Sequence, residues 1–476
     1  MKLINLLSSC FFTFLISASC INTTKIIAQK PELEVKPNII FIFSDDWGWG
    51  DLSAHGHPYI KTPNIDRLTN EGTDFQRFTV ASGVCSPSRV AVMTGQFPAR
   101  YNVDGHFAWA STNSNRNMPD WLDPETTLLP KLLQKNGYAT AHFGKWHLSN
   151  NMIPDSPSPL VYGYDTYGAF NCSGEQMPVH EDANNTIAFI EKNHKENKPF
   201  FINLWIHEPH TPHHVIPKYQ WRFPELNEAD NIYASVLAHA DDRIGEVLNT
   251  LDRLNLTDNT LVIFSSDNGP ARAAYDVEEL KLMYDSATGA GFDTSASMGI
   301  TGGRKGYKAS LFEGGIGVPF IARWPEKIKA GVIDDTSLIS AVDLLPTFCD
   351  IANAKLPENF KPDGISQVSA LFGQTYPLRT KPLFWKIDAT WPAQKNKPDH
   401  WVTYAIVEDH WKLVANNDLS YFELYDIAAD AYEKADLKEK YMDVTNELKN
   451  KIIEWQQTLP LSPSKKLFSI ERKKQQ

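Results

Sequence analysis

Four apolar segments of the chain are each followed by a short polar run. A continuous apolar stretch bounded by polar residues is typical of a strand that is buried on both faces of a sheet. Ligands of open α/β sheets bind at the carboxyl ends of the strands, so we expect the four polar runs to converge on one site. The segments are 38–43, followed by Ser44, Asp45 and Asp46; 138–143, followed by Gly144, Lys145, Trp146 and His147; 200–206, followed by His207, Glu208, Pro209 and His210; and 261–264, followed by Ser265, Ser266, Asp267, Asn268 and Gly269.

Helical patterns lie between these segments. Residues 229–251 carry apolar side chains at helical spacing, which predicts a long amphipathic helix. Two shorter helices are expected from Pro63 to a stop at Gly72 and from Leu128 to a stop at Gly137. Strands that alternate with helices up to about residue 350 indicate a layered α/β fold.

The segment 355–382 is rich in proline and glycine, which suits a boundary between domains. The pattern beyond it predicts three strands and then a helix, at 402–407, 411–415, 422–425 and 444–456. We therefore predict a catalytic α/β domain over 36–370 and a small C-terminal α+β domain over 380–460. The basic, polar tail over 464–476 is predicted to be frayed.

Composition limits the classes of function. The chain has 476 residues, of which 42% are hydrophobic and 12% aromatic, so it can bury a large core and exceeds one ordinary domain. The formal net charge of -11 argues against a nucleic-acid binder and against a general attraction for polyanions. An anionic substrate would therefore have to be held by a locally basic pocket.

Residues 1–20 have the pattern of a secretory signal. Lys2 precedes an apolar stretch that runs to Ile16, and small residues then lead to Cys20. The stretch is too short and wrongly flanked for a stable membrane span. Two alternatives remain open: lipidation of Cys20 as in bacterial lipoproteins, which Ser17 fits poorly, or ordinary cleavage nearby. Both predict an exported protein that is periplasmic, a cell-surface lipoprotein or secreted.

The run from Cys85 to Arg89 is the most informative motif of the chain. Ser86 is expected to cap a helix that has Pro87 in its first turn and ends at Gly95. Cys85 would then lie at the positive end of a helix dipole, where a thiol is a candidate nucleophile. The alternative from the residues alone is a buried cysteine at the start of a helix.

Two of the polar runs contain ligands that suit a hard divalent cation. Asp45, Asp46 and Asp267 offer carboxylates, and Asn268 offers an amide oxygen. This set suits Ca²⁺ or Mg²⁺. A solvated turn or a helix cap is the simpler interpretation of the Asp45-Asp46 doublet by itself, but a second pair at another strand end favours a metal site.

Lys145 and His147 flank Trp146, so in an extended run both side chains point the same way and can reach one anion. The alternative is a surface lysine and a core histidine. The loop after the third apolar segment carries four histidines, which are His207, His210, His213 and His214. The last two are expected to face solvent or to lie at a rim.

The order of these motifs resembles that of the type I sulfatases, which belong to the alkaline-phosphatase-like superfamily. The resemblance extends from Asn38 to about Leu437. Its motifs are Asp45-Asp46; the C-x-P-S-R run 85–89 with Thr94 and Gly95; Gly-Lys-Trp-His at 144–147; Pro-His-Thr-Pro at 209–212; Asp-Asn-Gly at 267–269; Lys308 five residues ahead of Glu313, Gly314 and Gly315; and Glu-Leu-Tyr-Asp at 423–426. Together these motifs are highly specific.

The resemblance implies a large central mixed sheet sandwiched by helices, with a smaller C-terminal α+β domain. It also implies a sulfuric ester hydrolase in which a formylglycine-generating maturation enzyme oxidises Cys85. By this resemblance, the hydrated aldehyde would be a geminal diol, and the metal would lower the pKa of one hydroxyl so that it could attack sulfur. The second hydroxyl allows sulfate to be expelled, which a plain serine or thiol would not.

The resemblance also implies a role for each site residue. Asp45, Asp46, Asp267 and Asn268 would bind one Ca²⁺ together with the modified residue 85. Arg89 would hold that residue, and Lys145 and Lys308 would neutralise charge on the sulfuryl oxygens. His210 would protonate the departing alcohol, and His147 would accept the proton of the second hydroxyl. His207 would support the site or bind substrate, and His106 and Arg304 are expected at the rim of the pocket.

The chain departs from the family pattern at two places. Gly317 stands where the family usually has arginine, and the run 430–433 lacks the customary Asp-Pro. Neither position touches the expected chemistry, so both concern local packing or substrate contacts.

Two other functions remain open at this point. One is a single-metal phosphate or phosphonate ester hydrolase of the same superfamily; Asn268 stands where two-metal members need histidine. The other is a catalytically inactive, secreted protein that binds sulfated glycans. For the sulfatase interpretation, secretion and several tryptophans favour a sulfated poly- or oligosaccharide as substrate, although most of these residues are expected in the core. The tryptophans are Trp47, Trp49, Trp109, Trp385, Trp391 and Trp401.

Overall fold

The computed structural model describes residues 36–272, 279–374, 379, 381–388, 399 and 401–475. The predicted signal segment with Cys20 lies outside the described residues, and so does Trp391. Within the described ranges, no helix combines the length and the apolar character that crossing a membrane requires.

The strands, numbered in chain order, are β1 (Asn38–Ser44), β2 (Thr73–Phe75), β3 (Phe78–Thr79), β4 (Ala139–Lys145), β5 (Thr166–Phe170), β6 (Phe200–Trp205), β7 (Thr260–Ser266), β8 (Leu282–Asp285), β9 (Gly289–Phe292), β10 (Phe320–Arg323), β11 (Val332–Asp334), β12 (Ile339–Ser340), β13 (Leu383–Lys386), β14 (Tyr404–Glu408), β15 (Trp411–Ala415) and β16 (Phe422–Asp426). The α-helices are α1 (Pro63–Glu71), α2 (Cys85–Thr94), α3 (Ala110–Asn115), α4 (Leu129–Lys135), α5 (Asp182–Lys195), α6 (Pro217–Gln220), α7 (Glu228–Arg253), α8 (Glu313–Ile316), α9 (Leu344–Ile351), α10 (Val368–Leu371), α11 (Met442–Gln457) and α12 (Ile470–Gln475).

Eight strands form the large sheet, in the order β11-β2-β10-β7-β1-β6-β4-β5. The strands from β7 to β5 in this order are parallel to their neighbours, whereas β10 is antiparallel to both β7 and β2. The four predicted strands are the central β1, β4, β6 and β7, and every residue in them is buried. Their continuous apolar sequences follow from this burial on both faces.

Helices cover both faces of this sheet. Ile40 and Ile42 of β1 belong to a core cluster that includes apolar residues of α1, α5 and α7. Phe41 points to the opposite face, where its ring lies 6.0 Å from that of Phe348 in α9. A mixed sheet between two helical layers confirms the predicted α/β, alkaline-phosphatase-like class.

A second sheet lies towards the C-terminus, with β13, β14, β15 and β16 paired antiparallel in that order. Helix α11 packs on it through Trp455, whose ring stacks on Phe384 at 4.9 Å. This arrangement confirms the smaller C-terminal α+β part. Its boundary near 370–380 stays a proposal, because Val35–Gln476 forms one compact unit.

Buried polar contacts join the two sheets. Lys412 of β15 is fully buried, and its Nζ lies 2.8 Å from Glu313 Oε1 and 2.9 Å from Glu433 Oε1. Trp385 of β13 donates its indole N–H to the carbonyl of Val80 at 2.7 Å. The C-terminal sheet is therefore fixed to the loops that surround the large one.

The prediction of a frayed C-terminal tail is wrong. Residues 470–475 form α12, and Arg472 is buried beside the fully buried Asp120. The backbone N–H of Ser469 donates to Asp120 Oδ2 at 2.7 Å, and Arg472 Nη1 donates to the Met118 carbonyl at 2.5 Å. The guanidinium also lies over the Phe468 ring at 3.7 Å. The tail is ordered because it supplies partners to a carboxylate that is otherwise inaccessible to water.

Arg472→Ala should lower the free energy of unfolding by about 2 kcal/mol, because it leaves Asp120 and the Met118 carbonyl short of a donor in a buried place. Urea unfolding followed by circular dichroism measures the change. Lys473→Ala is the matched control, since Lys473 is the exposed neighbour in the same helix. Equal stability of the two variants would contradict a structural role for the tail.

Candidate active site

The four polar runs meet at the carboxyl ends of the central strands, as predicted. Ligand atoms of Asp45, Cys85 and Asp267 lie within 4.8 Å of one another, and so do those of Asp45, His207 and His210. Lys145 ends β4, and Asp267 directly follows β7. The sheet therefore brings carboxylates, cations, histidines and one thiol to a single buried place.

Cys85 begins α2 and is 3% exposed, so its thiol lies at the predicted positive end of a helix. The expected cap is wrong: Val84 is the N-cap residue, and no side chain caps the helix there. Ser86 instead accepts a hydrogen bond at Oγ from the Phe107 N–H at 3.0 Å. Its hydroxyl therefore fixes a distant loop.

The oxygen ligands are arranged as a cation site requires. Asp45 Oδ1 and Asn268 Oδ1 are buried, and neither has a hydrogen-bond partner among the described residues. Asn268 donates through Nδ2 to Asp46 Oδ1 at 2.7 Å, which turns its own oxygen away from that carboxylate. The Asp46 N–H donates to Asp267 Oδ1 at 3.3 Å. Two unsatisfied oxygens within this ligand set fit a hard divalent cation.

Three cationic side chains pair with the three carboxylates. Arg89 donates through Nε and Nη2 to Asp267 Oδ2 at 2.9 and 2.6 Å. Lys308 Nζ lies 2.7 Å from Asp46 Oδ2, and Lys145 pairs with Asp45. Since these charges balance, a bound divalent cation would leave the site with the net positive charge that an anionic ester needs.

Crowding shifts the pKa values of Asp45 and Asp267, the two carboxyls near the thiol, in opposite directions. Burial and the neighbouring Asp45 carboxylate raise the pKa of Asp267 well above its ordinary value. Burial would also raise the pKa of Asp45, but the positive groups around it, Lys145 and Arg89 among them, hold that pKa well below its usual range. The positive groups therefore favour the ionised form of Asp45, and the Arg89 guanidinium acts in the same direction on the pKa of Asp267.

His147 faces the thiol with one ring nitrogen and is oriented by the other. Its Nε2 lies 2.9 Å from the Phe107 carbonyl, which can only accept, so Nε2 carries the proton. Its Nδ1 lies 3.2 Å from Cys85 Sγ and has its lone pair directed there. Burial and then the charge of Lys145 hold the pKa of His147 well below its ordinary value. A neutral imidazole in this orientation can act as a base towards residue 85.

His210 approaches the ligands from the other side. Its Nδ1 donates to the Thr211 carbonyl at 2.6 Å, and its Nε2 lies 3.9 Å from Asp46 Oδ2. Burial lowers the pKa of His210, although the Asp45 carboxylate acts in the opposite direction. His207 lies next to it, with ring centroids 5.7 Å apart, and donates through Nε2 to the Pro212 carbonyl at 3.1 Å. His207 therefore braces the loop that carries His210.

His213 and Arg304 do not lie where the sequence predicted. His213 is buried, with Nε2 3.1 Å from Ser297 Oγ, and is not a solvent-facing residue. Arg304 is 8% exposed, donates to the Gln76 carbonyl at 3.1 Å and lies over the Trp49 ring at 4.4 Å, so it is not at the rim.

Gly317 explains the position of Arg304. A Cβ built at Gly317 would lie 2.5 Å from Arg304 Nη1 and 2.8 Å from Glu313 Oε2. The absence of a side chain at Gly317 therefore leaves the space that this guanidinium fills.

The predicted rim residue His106 is half-buried, and its ring centroid lies 6.2 Å from that of His147.

Sequence reasoning missed residues that hold the site from behind. Arg243 of α7 donates to both carboxylate oxygens of Glu208, at 2.9 and 2.6 Å, and also to Asp182. The fully buried His142 has Nε2 3.1 Å from the Lys145 carbonyl, to which Arg89 also donates. The one available signal was a charged residue on the apolar side of a predicted helix, since Arg243 lies three residues after Ala240 and four before Val247.

The chain is similar to known sulfatases. The family model Sulfatase matches residues 37–354, and the model for N-sulphoglucosamine sulphohydrolase, C-terminal, matches residues 305–458. The chain is 28% identical to N-acetylgalactosamine-6-O-sulfatase of Bacteroides thetaiotaomicron over 87% of this chain and 92% of that one. It is 31% identical to N-acetylgalactosamine-6-sulfatase of Mus musculus over 73% of this chain and 68% of the relative.

A solved structure, that of Ps i-CgsB in complex with k-i-k-neocarrahexaose, is similar with a TM-score of 0.70 and 26% identity. The match covers 88% of this chain and 93% of that chain. The family model and the relatives together cover both the strand ends that carry the site and the C-terminal sheet. The protein is therefore a sulfuric ester hydrolase and belongs to the type I sulfatase family of the alkaline-phosphatase-like superfamily.

Proposed function

We propose that the protein removes sulfate from a sulfated poly- or oligosaccharide, using a formylglycine made from Cys85 and one Ca²⁺. The observation that carries the proposal is the position of Cys85 Sγ, 3.2 Å from the unprotonated His147 Nδ1. The saccharide substrate is supported by relatives named for an N-acetylgalactosamine sulfate and by a similar structure in complex with neocarrahexaose.

The two groups that the proposal adds each supply one kind of chemistry. Formylglycine supplies, when hydrated, two hydroxyls on one carbon. Asp45, Asp46, Asp267, Asn268 and residue 85 would hold the Ca²⁺, which would supply a Lewis acid that makes a hydroxyl more acidic. The all-oxygen protein ligands favour Ca²⁺ over zinc, which prefers nitrogen and sulfur.

The cationic side chains bind and orient the sulfate ester. Lys145 and Lys308 approach the carboxylates from two different elements, so their ammonium groups can contact sulfuryl oxygens between them. Their charges stabilise the transition state more than the ground state, because negative charge grows on those oxygens. Arg89 keeps Asp267 and the β4 end in place, as it bonds to both.

The two histidines move protons at different atoms. His147 Nδ1 accepts a proton from the group on residue 85, since its other nitrogen is already committed to the Phe107 carbonyl. His210 donates a proton from Nε2 to the leaving alcohol in its imidazolium form, which the Asp45 carboxylate favours, while its Nδ1–H stays bonded to the Thr211 carbonyl. Neither histidine can exchange roles with the other without losing the bond that orients it.

The proposal has three further parts. A maturation enzyme converts Cys85, residues 1–20 direct export, and the leader either ends at a lipidated Cys20 or is cleaved nearby. A phosphate or phosphonate ester hydrolase is the second candidate, because such esters offer the same anionic oxygens to Lys145 and Lys308.

The first test measures sulfate release from a panel of defined sulfated oligosaccharides and from the phosphate esters of the same sugars. We expect turnover of a sulfated saccharide and formylglycine at position 85 in peptide mass spectra of active enzyme. Cys85→Ala should fold with unchanged circular dichroism and lose turnover. Active enzyme with only unmodified Cys85 would contradict the proposed chemistry, and faster hydrolysis of the phosphates would favour the second candidate.

Metal analysis after dialysis should find about one Ca²⁺ per chain. Asn268→Ala removes an unsatisfied oxygen without changing the net charge, so we expect metal content and kcat to fall together, kcat by about 10- to 100-fold. Asp363→Asn, which breaks the ion pair with Arg100 away from the site, is the control. Two zinc ions per chain, or full metal content in Asn268→Ala, would overturn the proposed ligand set.

Substitution of the two histidines should separate their roles. His210→Ala should slow a sugar sulfate by about 10²- to 10⁴-fold and nitrophenyl sulfate much less, because an activated phenol leaves without a proton. His147→Ala should slow both substrates and leave sulfate retained on the protein, which intact-protein mass spectrometry after quenching detects. The exposed His410→Ala is the control. Equal losses on both substrates for His210→Ala, with no retained sulfate in His147→Ala, would show the roles to be wrongly assigned.

A further inference from the structure

One wall of the site is formed by residues 104–116, which we name the rim segment. Phe107 in this segment accepts the His147 Nε2–H at its carbonyl and donates its own N–H to Ser86 Oγ. His106 precedes it, with its ring 6.2 Å from that of His147. The rim segment is therefore bonded both to the base and to the helix that begins with Cys85.

Arg116 ends the rim segment and is directed back towards its start. Its side chain is 9% exposed, and Nη1 donates to the His106 carbonyl at 3.2 Å. Nε lies 3.1 Å from Asp388 Oδ2, next to β13. Within the described ranges, Nη2 has no hydrogen-bond partner, so the guanidinium keeps donors for a further acceptor.

Arg116 differs in this respect from Arg89 and Arg243, the two buried arginines that hold the site. Arg89 is bonded to Asp267 and to the Lys145 carbonyl, and Arg243 is bonded to both Asp182 and Glu208. Arg116 has one carboxylate partner, and burial lowers its pKa despite that partner. A guanidinium in this condition gains more from an additional oxyanion than one that is already saturated.

The substrate class makes an additional oxyanion available. Glycans that carry one sulfate ester often carry further charged groups, yet Lys145, Lys308 and Arg89 are already paired with carboxylates. The protein as a whole is acidic, so a second anionic group needs a local partner. Trp109 in the rim segment is 56% exposed and offers an aromatic face of the kind on which sugars stack.

We propose that Arg116 is a specificity-determining residue that binds a second anionic group of the saccharide, a carboxylate or a further sulfate. The group lies on the same sugar as the cleaved sulfate or on a neighbouring one. Asp388 competes with it for the guanidinium, so the strength of this subsite is set by the Arg116–Asp388 pair. The inference rests on the proposed saccharide sulfatase function.

The test compares KM and kcat of the wild-type holoenzyme, Arg116→Gln and Asp388→Asn. The substrates are a monosulfated oligosaccharide, the same oligosaccharide with a second sulfate, its analogue with a uronate in place of the second sulfate, and nitrophenyl sulfate. Arg116→Gln should raise KM by about 10- to 100-fold for substrates with a second anion. It should leave kcat, and the KM of the singly charged substrates, unchanged. Asp388→Asn should act in the opposite direction and lower that KM, because it removes the competing carboxylate.

The opposite changes in KM that we expect for Arg116→Gln and Asp388→Asn distinguish a substrate subsite from an ion pair with only a structural role. If both variants weaken all substrates alike, Arg116 and Asp388 only hold the wall in place and the proposal is overturned. A response to the disulfated substrate but not to the uronate, or the reverse, identifies the anion. Arg67→Gln, which breaks the ion pairs of Arg67 on α1 with Glu71 and with Asp252 on α7, is the control for loss of an arginine away from the site.

Failure of the proposed function gives a different result. If wild-type enzyme hydrolyses none of the sulfate esters, the proposed function fails, and calorimetric titration of Cys85→Ala with the disulfated oligosaccharide tests Arg116 alone. Binding that weakens about 10-fold or more on adding Arg116→Gln to this variant supports the subsite. Unchanged binding overturns it. Should Arg116→Gln fail to fold, the sign of the Asp388→Asn effect decides.

Discussion

The mutual neutralisation of charged groups at the ends of β1, β4 and β7 is the constraint on which the site depends. Asp45, Asp46 and Asp267 are buried where water cannot solvate them, and each is paired with a cation. Lys145 and Arg89 are buried, and Lys308 is partly buried. An isolated carboxylate in such a place would cost much folding free energy. Removal of any member of the set therefore leaves its partner as an unpaired buried charge. The same pairing keeps the lysine ammonium groups in fixed positions before any substrate arrives.

The C-terminal sheet belongs to this arrangement although it contributes none of the predicted catalytic residues. The backbone of Gly269, just after the metal-binding pair, donates to the Gly315 carbonyl at 2.8 Å. Gly315 lies in α8, which begins at Glu313. Lys412 of β15 holds Glu313 in a buried ion pair. A continuous path of hydrogen bonds and charges therefore runs from the small sheet to the ligands, which explains why a boundary in the sequence is not a boundary in function.

Much of the site could be predicted because strand ends are local features. A run of apolar residues followed by Asp45 or Asp267 fixes both the strand and the place where its polar residues emerge. The errors concern long-range partners. Ser86 accepts a hydrogen bond from the Phe107 N–H, and Arg304 donates one to the Gln76 carbonyl. Neither pairing can be recognised from the sequence around these residues.

The tail shows the same limit more strongly. Its composition is typical of a solvated end, and Lys473 is indeed exposed. Arg472 is nevertheless buried because a carboxylate far away in the chain, Asp120, has to be satisfied. Burial of a charged residue depends on its partner, and the partner is set by the fold.

The tail also affects when the site can form. Ser469 and Arg472 bond to the segment at 118–120, directly after the rim segment that holds His147 in place. Residues 469–472 are synthesised long after the rim segment, so the wall around Cys85 can be completed only once they have been made. Cys85 is almost inaccessible in the finished fold. On the proposed chemistry, the thiol is therefore oxidised before Ser469 and Arg472 dock on the segment at 118–120, and the order of synthesis provides that interval.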